Sequence, residues 1–130
     1  MALNQYGAVM TFAIELEGKL AEFYEQAANA NANHADELQS RAKASKSRSQ
    51  KIEQSRRENV TEITLEAIEG LDEADYAIDF SQYTASNIDA VEAIVQKFYT
   101  DASPKINVRE ARRVLERCLK EHGKLEPLAK

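Results

Sequence analysis

The sequence predicts an all-α fold of four long helices, with a long connection between the second and the third. Three observations carry this. Apolar residues recur at helical spacing in four separate stretches. Only four Gly and two Pro interrupt 130 residues. One helix motif also returns about 75 residues further along the chain. The length indicates a single domain over 1–130, long enough to bury roughly two-thirds of its unfolded surface.

The first helix is expected from about Leu3 to Ala30. Ile14, Leu16, Leu20, Phe23, Tyr24 and Ala27 recur at helical spacing with no proline between them. Glu17 and Tyr24 lie two turns apart and share one face with Met10, Ala13, Leu20 and Ala28. A carboxylate on such a stripe needs a cation, a metal or a hydrogen-bond donor, or must take up a proton. Gly18 either admits close approach of another helix or is a tolerated exposed glycine. The Asn-rich run from Asn29 to Asn33 turns the chain, with Asn33 as the expected N-cap of helix two and Asp36 three residues on.

Helix two, about His34 to Asn59, carries seven cations between Arg41 and Arg57 against one acid, Glu53. That segment is +6, which leaves −11 for the rest of a chain whose total is −5. Its apolar stripe is thin: Leu38, Ala42, Ser45, Ser49 and Ile52. The cations form a solvated face, a basic surface for an anion or acidic protein partner, or an inward set that neutralises buried carboxylates. From Val60 a short helix is expected. A turn at Gly70–Glu73 and a long connection follow, pinned to the bundle by Tyr76, Phe80 and Tyr83. Helix three is expected to start at a cap on Ser86 or Asn87 and to end before Pro104. There Glu92 precedes Tyr99 by seven, as Glu17 precedes Tyr24, and Phe98-Tyr99 matches Phe23-Tyr24. Helix four is capped by Asn107 with Glu110 in the reciprocal position, carries a stripe from Val108 through Cys118 and His122 to Leu125, and is stopped by Pro127.

Four helices with a long second connection form the topology of ferritin-like bundles. The stretch Ala-Ile-Glu-Leu-Glu-Gly-Lys-Leu-Ala-Glu-Phe-Tyr-Glu-Gln-Ala-Ala at 13–28 resembles the first helix of the rubrerythrin branch of the ferritin-like superfamily. Leu71-Asp72 with Asp75-Tyr76, and Glu121-His122 with Leu125, are similar to further pieces of that family. The resemblance implies a di-iron site in which two helices each give a Glu and two each give Glu-x-x-His. By that resemblance Glu17 and Glu92 stand at the single-Glu positions and His122 at a ligand His. The partner acid of His122 is replaced by Leu119, and helix two offers Ser45-Lys46-Ser47-Arg48-Ser49, with no ligand at all.

Two readings follow. One is a non-catalytic binding or structural protein with a degenerate metal site, no cofactor, and Lys46 or Arg48 turned inward between Glu17 and Glu92. The other is an oxidoreductase acting on oxygen or peroxide through iron or another divalent metal on Glu17, Glu92 and His122. Tyr24 and Tyr99 line the site in both and give their hydroxyls to the carboxylates or across the bundle. An apolar strip of Phe12, Leu16, Phe23 and Ala27 suggests a homodimer. The net charge argues against nucleic acid, and no apolar run is long enough to span a membrane. The single Cys118 leaves no partner for an intrachain disulfide or a Cys-based zinc site. With no signal-peptide pattern at the N-terminus, the cytoplasm is the expected compartment.

Overall fold

The computed structural model describes residues 2–58 and 67–129. Among these residues four α-helices stand in order, α1 (Tyr6–Ala30), α2 (Ala35–Glu58), α3 (Ala85–Ala102) and α4 (Arg109–Gly123), with no strand. None of them is long and apolar enough to cross a membrane. The short helix expected from Val60 begins within 59–66, outside the described residues.

Helix α1 runs its full length unbroken and buries Val9, Met10, Ala13, Leu16, Glu17, Leu20, Tyr24 and Ala27, the three-and-four spacing of a core-facing stripe. Helix α2 lies against it with few large apolar groups. Leu38 and Ile52 supply bulk, while Ala42 and Ser45 let the backbones approach. Ser49 Oγ donates to the Ile14 carbonyl at 3.1 Å, and the Tyr6 hydroxyl donates to the Ser55 carbonyl at 3.3 Å. These pairs place late α2 beside early α1, so the two helices run antiparallel. Gly18 has nothing within 4 Å of the position of a Cβ, so it is a tolerated glycine and not a point of close approach.

The turn before α2 departs from expectation. Ala32–His34 form a 3-10 turn and α2 begins at Ala35. Asn33 therefore lies inside that turn and does not cap the helix. Asn31 anchors the corner instead, donating to the Ala27 carbonyl at 3.0 Å and to the Tyr83 carbonyl.

The segment from Ala67 to Thr84 lies along the outer side of α1. At one end Leu3 N donates to the Leu71 carbonyl at 3.0 Å and Ile68 N to the Asn4 carbonyl at 2.8 Å. Gly70 makes the bend between them with φ +85°, a conformation that side chains disfavour. Tyr76 then packs on Phe12 and Phe98 and donates to Asp101 at 2.7 Å. Phe80 and Tyr83 close on Phe23, both with centroids 5.5 Å away. Leu16, Phe23 and Ala27 are consequently buried and Phe12 half-buried. The strip expected to carry a homodimer is thus covered by the chain's own connection.

Thr84, rather than Ser86 or Asn87, caps α3, its hydroxyl accepting from Asn87 N at 3.2 Å. The Asn87 side chain is committed to the loop, donating to the Asp79 and Gln82 carbonyls. Helix α3 ends at Ala102, and a 3-10 turn containing Pro104 follows, as the proline requires. Helix α4 begins at Arg109 with Val108 at its N-cap, one residue past the expected Asn107, and ends at Gly123, before Pro127. Beyond it the C-terminal segment folds back. Both Asp89 carboxylate oxygens accept backbone N–H groups, from Leu128 and Ala129 at 2.8 Å, and Arg41 donates to the Glu126 carbonyl at 2.9 Å.

Replacing Thr84 with Ala should remove the α3 cap and lower unfolding free energy by about 1 kcal/mol. Ser86→Ala should change it by less than about 0.5 kcal/mol. Urea unfolding of both variants separates the two cap assignments.

Candidate functional site

Each of the four helices sends one acidic or basic side chain to the centre of the bundle. Glu17 comes from α1, Arg48 from α2, Glu92 from α3 and His122 from α4. Glu17 and His122 are 0% exposed, Arg48 3% and Glu92 5%. His122 stands between the two carboxylates, with Nε2 2.8 Å from Glu17 Oε2 and Nδ1 2.9 Å from Glu92 Oε2. A neutral imidazole has one donor and one acceptor nitrogen, and so can satisfy only one carboxylate. Two such contacts call for an imidazolium. Burial works against that charge, but the bonds to Glu17 and Glu92 outweigh it and raise the pKa to about 9.

Glu17 Oε2 also accepts from Arg48 Nε at 3.1 Å and from the Tyr99 hydroxyl at 2.6 Å. Burial favours its protonated form, yet His122, Arg48 and Tyr99 together hold the carboxyl below its ordinary pKa. Its other oxygen, Oε1, has no hydrogen-bond partner among the described residues. The Tyr24 hydroxyl donates to Glu92 Oε1. Each tyrosine therefore serves the carboxylate of the opposite helix, Tyr24 of α1 on Glu92 and Tyr99 of α3 on Glu17. The Tyr99 ring stacks on His122 at 5.6 Å and 21°. Burial, then the charge of Glu17, pushes the Tyr99 phenol well above its usual pKa.

Arg48 leads outward from this centre. Its Nη2 donates to Ser45 Oγ at 2.9 Å and its Nη1 to Glu121 at 3.0 Å, whose side chain is 38% exposed. Glu121 joins the network through Arg48. Cys118 lies nearby, and burial, then the charge of Glu17, raises its thiol to about 12, which disfavours the thiolate.

All of the expected site residues meet here except one. Lys46 points away, is 60% exposed and pairs with Glu25 at 2.5 Å. The choice between Lys46 and Arg48 lay in the sequence. Leu38, Arg41, Ser45, Arg48, Ile52 and Ser55 are all buried and continue one alternating three-and-four spacing. Arg41 and Arg48 occupy core positions of that series, whereas Lys46 does not. Arg41 is buried too, with its guanidinium 5.9 Å from the centre of the Tyr24 ring. Two of the seven α2 cations are thus inside the protein, and Lys43, Lys46, Lys51 and Arg57 are exposed.

The donor set does not fit a bound metal as it stands. Both ring nitrogens of His122 face carboxylate oxygens, and a ligand nitrogen must be unprotonated. The guanidinium of Arg48 occupies the approach to Glu17 Oε2. Among the described residues no group of three or more His, Cys, Asp or Glu is placed to hold a metal ion. Two buried carboxylates face two buried cations, and the partly exposed Glu121 pairs with the outer side of Arg48.

Compared with protein-family models, curated proteins and solved structures, the chain matches none of them.

The charges give a defined pH response. The pKa of His122 is raised on folding, so its contribution is complete below about 6.5 and is lost as pH rises through about 9. That contribution is on the order of 3 kcal/mol. The Glu17 pKa is lowered, so its contribution holds above about 4.5 and is lost at more acid pH. Urea unfolding across pH should therefore show greatest stability between these limits, and His122→Gln should flatten the alkaline limb. Arg48→Met should cost about 3–5 kcal/mol by leaving Glu17 short of a buried cation. Lys46→Met should cost less than about 1 kcal/mol.

Proposed function

We propose that this protein is a ferritin-like four-helix bundle whose metal position is filled by its own charges, and that it is a non-catalytic binding or structural protein of the cytoplasm. The observation that carries the reading is His122 bonded through both ring nitrogens to Glu17 and Glu92, with Arg48 on Glu17. In a rubrerythrin-type site, metal ions neutralise the carboxylates. Here an imidazolium and a guanidinium do so.

The directions of the helices support the ferritin-like topology. Tyr24 meets Glu92 while Tyr99 meets Glu17, so α1 and α3 run antiparallel. Helix α2 is also antiparallel to α1, which makes α2 and α3 parallel. A parallel pair needs a connection that returns along the bundle. The contacts of Leu71 with Leu3, Tyr76 with Phe12 and Tyr83 with Phe23 trace such a crossover along α1. The reciprocal Glu–Tyr pairs support two related helix pairs.

The reading makes a direct prediction about metal. Protein purified without a histidine tag, then offered iron, manganese and zinc, should retain well below one equivalent of each by elemental analysis. Near-stoichiometric metal that disappears in Glu17→Ala would overturn the proposal and restore the reading of an oxidoreductase on Glu17, Glu92 and His122, to be assayed with oxygen and peroxide.

A further inference from the structure

A second site lies at the end of the bundle where the C-terminal segment folds back. A cavity of about 270 Å³ is bounded by Arg41 of α2, by Asp89, Glu92 and Gln96 on one face of α3, and by residues 125–127, of which Glu126 is exposed. At about 30 Å³ per water-sized unit, it holds a small molecule. Its walls are of mixed charge. Arg41 is 3% exposed and its Nη1 has no hydrogen-bond partner among the described residues. The other nitrogens of Arg41 are committed, Nε to Glu37 at 3.0 Å and Nη2 to the Glu126 carbonyl at 2.9 Å. Asp89 lines the same cavity, accepts two backbone N–H groups and has no side-chain cation among the described residues. Glu92 reaches the cavity from the central cluster.

These groups select a ligand class. A simple anion meets Arg41 but also three acidic residues, Asp89, Glu92 and the exposed Glu126. A simple amine meets the carboxylates but leaves the guanidinium N–H without an acceptor, an arrangement that buried donors avoid. A molecule that carries an ammonium and a carboxylate on one carbon satisfies both walls. We propose that this cavity binds a small zwitterion of the α-amino acid class, with its carboxylate on Arg41 and its ammonium toward Asp89 and Glu92. Gln96 supplies a further donor and acceptor for the side chain or carboxylate. Leu125 and Pro127 cover the apolar part of the ligand. The site goes beyond the reading of the central cluster: it shares Glu92 with it but rests on Arg41 and Asp89, which that reading does not involve.

The test is an NMR titration of the labelled full chain with each common α-amino acid up to about 10 mM. At least one should bind and shift amides of α3 and of residues 124–129. The matching acid without the amino group, and the matching amine without the carboxylate, should each bind about tenfold more weakly or worse. Arg41→Met should weaken binding about tenfold. Should that variant fail to fold, Ala93→Phe keeps the test open. Ala93 is an exposed α3 residue that also lines the cavity, and an aromatic ring there fills the space. Ala93→Phe should abolish binding. No binding by any amino acid in this range would overturn the proposal. So would equal binding of either half-analogue, or full binding by Ala93→Phe.

Discussion

The imidazolium of His122 between Glu17 and Glu92 is the interaction on which the rest of the structure depends. Two carboxylates buried in a helical core are untenable without compensation. The compensation comes from α2 and α4, while the carboxylates come from α1 and α3, so each helix holds one member of a four-part charge balance. Turning any one helix about its axis would strand a charge in the core. Hydrophobic contacts tolerate small slips of register. A buried guanidinium with three acceptors and an imidazolium with two do not. The cluster contributes little net stability against an apolar core of equal volume. Its effect is to select one arrangement of helices, and that matters most for α2, which has few large apolar side chains with which to fix itself.

The repeated Glu–Tyr motif explains how each buried carboxylate gains a tyrosine hydroxyl with so few residues. On one helix, a Glu and a Tyr seven residues apart are two turns, about 10 Å, distant along the axis and cannot touch. When two such helices run antiparallel, the Tyr of each comes opposite the Glu of the other. The same spacing on α1 and α3 therefore yields two hydrogen bonds, Tyr24 to Glu92 and Tyr99 to Glu17. The aromatic rings add bulk to the core at the same time. Phe98 stacks edge-on against Tyr99 and Tyr76, and Phe23 lies tilted on Tyr24.

Much of this was legible in the sequence because it is written in short-range spacing. The helical stretches, the inward faces of Glu17 and Glu92, and the position of His122 all follow from period and residue type. What was not legible depended on non-local pairing. Phe12, Leu16, Phe23 and Ala27 form an apolar strip whether a second copy or the chain's own connection covers it, and spacing alone does not tell which. Caps failed for a related reason. Several residues near the start of α3 can cap, and Asn87 is diverted because the Asp79 and Gln82 carbonyls lie within its reach. Arg41 was the recoverable miss, and the choice of Arg48 over Lys46 was recoverable too. A charged residue on a sparse helix reads as solvent-facing by default, yet the heptad through Leu38, Ser45 and Ile52 placed Arg41 and Arg48 among the buried positions.

The central charges also set the terms on which anything else can enter the core. A divalent ion seated between Glu17 and Glu92 would lie beside Arg48 and would need a ring nitrogen of His122 free of its proton. With the imidazole raised to about 9, removing that proton at pH 7 costs about 3 kcal/mol before any bond to a metal forms. The carboxylates would also lose their present donors and have to regain them from the ion. Metal binding in this bundle is therefore a competition with an existing ion cluster, not the filling of a prepared site. Raising pH weakens the competitor by discharging His122, and also removes part of what holds α4 to α1 and α3. Affinity for a cation and stability of the fold are opposed through the same proton.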